Sequence, residues 1–137
     1  MTTSSSGTDA SVQDVGGGSV TVGVAAGIAT VAFRHPKANS LPGVILSRLA
    51  AEITALGARR DVTVIVLRSE GTGPFCSGAS FDELTAIRTA AAGKEFFGGF
   101  GRVILAMMRA PQFVVTRVHG KVAGGGVGLV AASDYAF

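Results

Sequence analysis

The segment "HGKVAGGGVGLVAASDYAF", residues 119–137, contains the most informative pattern of the chain. Three consecutive glycines cost backbone entropy, so Gly124–Gly126 indicate a bend that another group must approach closely. The apolar run Phe113–Val118 precedes them and is typical of a buried strand, and a short helix is predicted over about 126–133. Strand, glycine bend and helix in this order predict an α/β unit whose bend lies at the carboxyl end of the strand, where ligands bind in such folds.

A second glycine-rich loop occurs earlier in the chain. The β-branched run "VTVIVL" (Val62–Leu67) predicts another strand buried on both faces, and "SEGTGPFCSGAS" leaves it as a long loop. Both loops, 71–79 and 120–126, follow the carboxyl ends of predicted parallel strands. We therefore expect them to meet at one place.

The remaining segments complete an α/β plan. Val20–Val24 alternates in polarity and, after the turn "AAG", pairs with Ile28–Phe33 as a hairpin. After the loop "RHPKANSLPG", one helical face carries Ile45, Leu49, Ile53 and Leu56, and Gly57 ends that helix. A further helix is predicted from about Ser80, with Phe81, Leu84 and Ile87 on one side. The next is predicted to carry a stripe of Phe96, Phe100, Val103 or Ile104, and Met107. "DYAF" opens another strand.

Composition narrows the classes of function. The chain has 137 residues, of which 47% are hydrophobic and 15% charged, so we expect apolar surface that a partner or more chain covers.

No apolar run reaches the roughly 18 residues of a spanning helix, and no signal peptide is recognisable. The net charge of +3 is scattered, which argues against nucleic acid. One cysteine excludes an internal disulfide, no Cys or His pair has zinc spacing, and a cytoplasmic protein without a membrane partner is expected. Residues 1–18 predict a disordered Ser/Gly-rich tail.

Three motifs together carry a resemblance. "FRHPKANSLPG", "FCSGAS" and "HGKVAGGGVGL", followed by "SD", resemble the enoyl-CoA hydratase/isomerase (crotonase) family, over about Ser19 to Phe137. The resemblance implies an α/β fold of the ClpP/crotonase type, a ββα superhelix that is incomplete here. Residues 19–137 are then the N-terminal part of an acyl-CoA-binding domain, and the intact enzyme is expected to form a homo-oligomer, a trimer or hexamer.

The resemblance also implies site residues. The backbone N–H groups of Ala79 and Gly125 are expected to stabilise the enolate or oxyanion of an acyl-CoA thioester. No separate cofactor or metal is expected, because coenzyme A arrives as part of the substrate. The residues expected around that substrate are Lys37, Ala38, Cys76, Gly78, Ser80, Gly124 and Gly128.

One departure from the family leaves the reaction open. Family hydratases carry a glutamate three positions after the middle glycine, where this chain has Gly128, and a second glutamate about twenty residues further on, beyond Phe137. Hydration or isomerisation of an enoyl-CoA is expected from the family. A thioester hydrolase, a decarboxylase, or a truncated CoA-binding or subunit-interacting piece are the alternatives. For the glycine triplet alone, plain helix–strand packing is the competing interpretation.

Several other residues admit a structural and a functional interpretation. We expect Asp82 and Glu83 to be dipole partners in the first turn of a helix. We expect His119 to be a packing residue at the end of a strand and Asp134 to make a structural hydrogen bond. Cys76 is expected to be a small buried residue. Lys37 either meets a phosphate of CoA or is solvated. The Phe96, Phe97, Phe100 and Met107 stripe is expected to pack rather than to wall an acyl pocket.

Overall fold

The computed structural model describes residues 9–137. A six-stranded sheet has the order β1-β2-β3-β5-β7-β8, and β4 and β6 form a second, two-stranded sheet. In chain order the elements are β1 (Asp9–Val15), β2 (Gly18–Ala25), β3 (Ile28–Arg34), β4 (Ser40–Leu41), α1 (Gly43–Gly57), β5 (Val64–Ser69), β6 (Gly78–Ala79), α2 (Phe81–Thr85), α3 (Ala90–Arg109), β7 (Phe113–Thr116), α4 (Gly125–Ala131) and β8 (Tyr135–Ala136). The predicted α/β architecture is confirmed.

The expected tail over residues 1–18 is wrong from residue 9 onward. Asp9–Val15 forms β1, which pairs antiparallel with β2 over its whole length. Backbone pairing with β2, rather than burial in the core, stabilises this strand. Its sequence therefore has too little apolar content to predict a strand. Residues 1–8 lie outside the described residues.

The predicted hairpin and parallel strands are confirmed. β2 and β3 pair antiparallel, and β3, β5, β7 and β8 pair parallel. Along β5 the side chains alternate between half-buried and buried, so one face of the sheet turns fully inward. Inward residues of the sheet pack against the helices in one core, whose largest members include Phe33, Ile45, Leu49, Ile65 and Leu67.

Helix α1 buries the predicted face and packs against α3. On α3, Val103 and Met107 are buried as expected, at 0% and 2% exposure. Gly99 lets the two helices approach, because a Cβ there would lie 2.8 Å from Leu46 Cδ1. Phe97 does not belong to the packed stripe, since it is 72% exposed.

The helix predicted from about Ser80 differs most from expectation. α2 has only five residues and none of them is buried; Phe81 is 71% exposed. Ser80 does cap it, because its Oγ accepts a hydrogen bond from Glu83 N at 3.3 Å. Apolar spacing suggested a packed helix, yet three matches over seven residues are too few to distinguish a single turn from a longer element. Across residues 9–137, no helix has the length and apolar composition that crossing a bilayer requires.

Candidate functional site

The two glycine-rich loops lie side by side, as predicted. Phe75 N donates to Lys121 O at 2.9 Å, and Ala123 N donates to Cys76 O at 2.9 Å. Cys76 and Val122 also form an isolated parallel bridge. Backbone hydrogen bonds therefore fix the position of one loop relative to the other, and no long side chain is needed to hold them.

The glycines of these loops are in close contact. A Cβ added to Gly78 would lie 3.5 Å from Gly124 Cα and 3.8 Å from Gly125 N. Gly78 has φ +94° and Gly124 has φ +55°, both in the left-handed region that favours glycine. The structure thus brings together Gly78, Gly124 and Gly125, with Ala79 next along the chain.

Neither Ala79 N–H nor Gly125 N–H takes part in the regular backbone hydrogen bonds of the elements that contain it, the β4–β6 pair and helix α4. Ser80 N donates to Leu41 O at 3.1 Å. Because successive residues of a strand direct their N–H groups to opposite edges, Ala79 N–H points away from β4. Gly125 is the first residue of α4, so its N–H has no acceptor within that helix.

Asn39 holds the strand that supports Ala79, and the sequence analysis missed it. Its Nδ2 donates to Glu70 O and to Pro74 O, both at 3.0 Å, and its Oδ1 accepts from His35 N at 2.8 Å. Asn39 is 5% exposed and adopts φ +55°. The signal was an asparagine in a loop with two prolines, since asparagine tolerates the left-handed region and bonds nearby backbone.

Glu83 holds the other end of the same strand pair. Both carboxylate oxygens accept from Gly43 N, at 3.1 and 3.0 Å, at the start of α1. The expectation that Glu83 acts in the first turn of its own helix is therefore incomplete, because its carboxylate lies at the N-terminus of α1, where negative charge is favourable. β4 and β6 lie between the Asn39 and Glu83 contacts.

The predicted CoA-side residues lie beside this strand pair. Lys37 Nζ forms an ion pair with Asp82, and both side chains are mostly exposed. Ala38 adopts φ +53°, and its carbonyl accepts from Ser77 Oγ at 2.7 Å. These contacts join the loop before β4 to the segment before β6 and to the start of α2, so Lys37 is paired rather than merely solvated.

Residues of α3 pack against the glycine face of α4. A Cβ on Gly125 would lie 2.5 Å from Phe100 Cγ, and a Cβ on Gly128 would lie 2.8 Å from Ile104 Cδ1. A Cβ on Gly126 would lie 2.8 Å from Cys76 Cβ. Close packing therefore accounts for part of the glycine run, and the space beside Gly128 holds an apolar side chain.

Cys76 is fully buried, and its burial raises the pKa of the thiol, against a smaller opposing effect of Gly78 N–H. It is a packing residue, as expected. Asp134 makes the expected structural bond, accepting from Val114 N at 2.7 Å. His119 Nε2 is buried and has no hydrogen-bond partner among residues 9–137. Within the described range, no three side chains of His, Cys, Asp or Glu lie close enough to hold a metal ion.

A groove of ≈ 810 Å³ lies between α1 and α3, but it is not part of this site. Its walls come from the carboxyl-terminal halves of the two helices, including Ile53, Leu105 and Arg109, and from Pro111. None of its lining residues belongs to either glycine-rich loop. The paired loops are therefore the candidate site, because they carry both predicted backbone donors.

Comparisons with known proteins show what the sequence is similar to. The sequence model described as enoyl-CoA hydratase/isomerase matches residues 23–137. A CoA hydrolase of Mycobacterium tuberculosis, acting on a (7aS)-7a-methyl-1,5-dioxo-hexahydro-indene-carboxyl-CoA, is 32% identical over 79% of this chain and 43% of its own length. Ethylmalonyl-CoA decarboxylase of Gallus gallus is 25% identical over 90% of this chain and 42% of its own.

Solved structures show the same architecture. An enoyl-CoA hydratase of Mycobacterium smegmatis superimposes with a TM-score of 0.75 and 32% sequence identity. The match covers 80% of this chain and 43% of that one. The expected crotonase-like fold is confirmed, and the chain spans less than half the length of the curated relatives that it matches.

Proposed function

Because the chain belongs to the enoyl-CoA hydratase/isomerase family, we propose that it binds an acyl-CoA thioester and stabilises its enolate or oxyanion with the N–H groups of Ala79 and Gly125. The observation that carries the proposal is the approach of the two loops, where Gly125 N lies 3.8 Å from a Cβ position on Gly78. Ala79 follows Gly78 directly, so the two donors belong to neighbouring backbone segments.

The physical case rests on preorganised donors. When a nucleophile adds to a thioester, or a proton leaves its α-carbon, negative charge develops on the carbonyl oxygen. Two N–H groups fixed by backbone pairing meet that charge without reorganising, and one such donor contributes about 3–4 kcal/mol to lowering a barrier. Gly78 and Gly124 themselves carry no side chain where the two donor segments meet. Coenzyme A enters as part of the substrate, and Lys37, Ala38 and Ser80 lie on the side from which we expect it.

The second candidate concerns the reaction. A hydratase needs a group that transfers a proton at the reacting carbons. Gly128 has no such group, and Ile104 Cδ1 lies 2.8 Å from the position that its Cβ would take. The lack of an acid at residue 128 favours hydrolysis or decarboxylation of a thioester, reactions named for two relatives, over hydration that uses an acid there. Turnover of crotonyl-CoA by the protein would decide for hydration.

The test of the shared step uses two ligands that differ in the presence of one carbonyl oxygen. A cinnamoyl-CoA thioester is compared with the matching thioether, which lacks the carbonyl oxygen. We expect the thioester to bind at least tenfold more tightly and its absorption to shift to longer wavelength when the carbonyl is polarised. Ala79→Pro removes one of the two donors and should reduce both differences while leaving thioether affinity unchanged.

The matched control is Ala90→Pro, because the first position of α3 accepts proline and lies outside both loops. It should behave like the parent protein. Circular dichroism establishes that each variant is folded. Equal affinity of the parent protein for thioester and thioether, with no spectral shift, would overturn the proposal.

A further inference from the structure

The ion pair between Lys37 and Asp82 joins the two ends of the strand pair that holds Ala79. Lys37 lies three residues before β4, and Asp82 lies three residues after β6. Because β4 and β6 run parallel, a residue before one and a residue after the other lie at opposite ends of the pair. The lysine side chain therefore extends along the strand pair to reach the aspartate.

The backbone of each partner is held by other bonds, so only the two side chains are free to change partners. Lys37 N donates to His35 Nδ1 at 3.2 Å, and Lys37 O accepts from Ser40 Oγ at 2.8 Å. Asp82 belongs to α2, whose start is capped by Ser80 Oγ. Opening the ion pair thus moves the flexible lysine stem and leaves both segments in place.

The ion pair is open to solvent. The Lys37 side chain is 63% exposed and the Asp82 side chain 70% exposed. Such pairs contribute little to stability, because water screens the two charges and both side chains lose rotamer freedom. An anion from solution can therefore reach Lys37 Nζ and displace the carboxylate at a small cost.

Lys37 supplies the positive charge on this side of the proposed donor Ala79. Residues 69–87, which include β6 and α2, contain no lysine or arginine. In the free chain Asp82 neutralises the charge of Lys37. The diphosphate and ribose phosphate of CoA are strong acceptors for a lysine ammonium, so they compete with Asp82 for the same cation.

We propose that Asp82 determines how strongly the site prefers CoA thioesters over thioesters that lack phosphate, by competing with CoA for Lys37. The inference rests on the proposed function, because it requires an acyl-CoA whose thioester oxygen meets Ala79 N–H. Removing the carboxylate frees Lys37 for the phosphates. This contact is remote from the reacting carbonyl and is equal in ground and transition states, so it changes affinity and leaves carbonyl polarisation unchanged.

The experiment compares cinnamoyl-CoA with cinnamoyl-pantetheine, which has the same thioester and no phosphate. Affinities are measured from the absorption shift for the parent protein and for Asp82→Asn. We expect the variant to bind cinnamoyl-CoA roughly two- to fivefold more tightly, the range expected for an exposed ion pair, and cinnamoyl-pantetheine equally well. The absorption maximum of each bound thioester should not move. At about 0.5 M salt the gain should vanish, because exposed charges are then screened.

A double-mutant cycle tests whether the effect acts through Lys37. Lys37→Met should weaken binding of cinnamoyl-CoA alone, and in that background Asp82→Asn should have no more effect than a distant loss of charge. Asp61→Asn is the matched control for that loss. Asp61 is similarly exposed, at 62%, and pairs with Arg59 before β5. Circular dichroism establishes that every variant is folded.

Three results with Asp82→Asn would overturn the inference. Unchanged affinity for cinnamoyl-CoA would mean that no competition takes place. Weaker binding of cinnamoyl-CoA would mean that Asp82 positions Lys37 for the phosphates, and an equal gain for both thioesters would mean that it acts through α2. A parent protein that shifts the absorption of neither thioester overturns the proposed function and this inference with it. A shift in the parent together with a neutral Asp82→Asn overturns this inference alone.

Discussion

Replacing Asn39 by alanine removes three hydrogen bonds from the loop that leads into β4. His35 N–H, Glu70 C=O and Pro74 C=O lose the partner that lies 2.8, 3.0 and 3.0 Å away. At about 1 kcal/mol for each bond the loss is about 3 kcal/mol. Alanine at φ +55° adds about 1 kcal/mol, because asparagine tolerates the left-handed region better. Water reaching the half-buried Glu70 and Pro74 carbonyls reduces the sum, so we expect about 3 kcal/mol.

The assay is reversible unfolding by urea, with thermal unfolding followed by circular dichroism. For a chain of this length, about 3 kcal/mol corresponds to a melting temperature lower by about 10 °C. Asn39→Gly separates the two contributions, because glycine accepts the left-handed backbone and makes no side-chain bonds. It should regain about 1 kcal/mol relative to alanine. If Asn39→Ala unfolds within about 0.5 kcal/mol of the parent, roughly the error of such measurements, the three hydrogen bonds do not stabilise the fold.

Asn39→Asp removes the two hydrogen bonds that Asn39 Nδ2 donates and keeps an oxygen that can accept from His35 N–H. Aspartate can still accept from His35 N–H, but its carboxylate would face the two carbonyls that Nδ2 now satisfies. The folded state would then raise the pKa of that aspartate above its unfolded value of about 3.9. The variant is therefore least stable, relative to the parent, at neutral pH, and the difference in unfolding free energy shrinks as the pH falls through the folded-state pKa. A difference that stays constant from pH 7 to about pH 4 would contradict this electrostatic origin.

Three further predictions concern the neighbouring contacts. Gly125→Ala should destabilise the fold by about 1–3 kcal/mol through overlap with the Phe100 ring, and in a Phe100→Ala background it should be nearly neutral; an unchanged effect in the double-mutant cycle would exclude that overlap. Glu83→Ala should cost about 1–2 kcal/mol in urea unfolding, by uncapping Gly43 N–H, and Glu83→Gln about half of that; equal losses would show that charge plays no part. Because burial raises the pKa of Cys76, the stability that its protonated thiol contributes is present below the unfolded pKa of about 8.5 and is lost as the pH rises through the folded value. Urea unfolding from pH 7 to 10 of the parent and of Cys76→Ala should therefore show a steeper decline for the parent, and parallel curves would contradict it.

The predictable parts of the fold are those with a local periodic pattern of apolar residues. The hairpin of β2 and β3, the apolar face of α1 and the buried strands β5 and β7 follow from alternation, helical spacing and β-branched runs. β1 was not predictable, because a polar strand held by backbone pairing has no pattern to detect. At α2 a pattern was present but misleading. Its apolar residues at helical spacing remain exposed, and the helix is shorter than predicted.

The two supporting contacts of the site were beyond sequence reasoning because they span 31 to 40 residues. The order Ser80…Glu83 fits a local capping box, in which the glutamate would accept from Ser80 N–H. In the fold, however, Ser80 N donates to Leu41 O. Glu83 is therefore free to accept from Gly43 N, a contact that only the parallel pairing of β4 and β6 creates. Asn39 likewise gains its role from two carbonyls of a distant loop.

These contacts explain how a pair of two-residue strands can hold the proposed donor, Ala79 N–H, in place. β4 and β6 share too few backbone bonds to fix a peptide group by themselves. Asn39 ties the start of β4 to the loop before β6, and Glu83 ties the end of β6 to the helix after β4. The strand pair is thus closed at both ends by buried or half-buried polar groups. Because Ala79 lies inside this closed unit while Gly125 begins a helix packed on Phe100, each proposed donor depends on a separate support, and a change in one should leave the other in place.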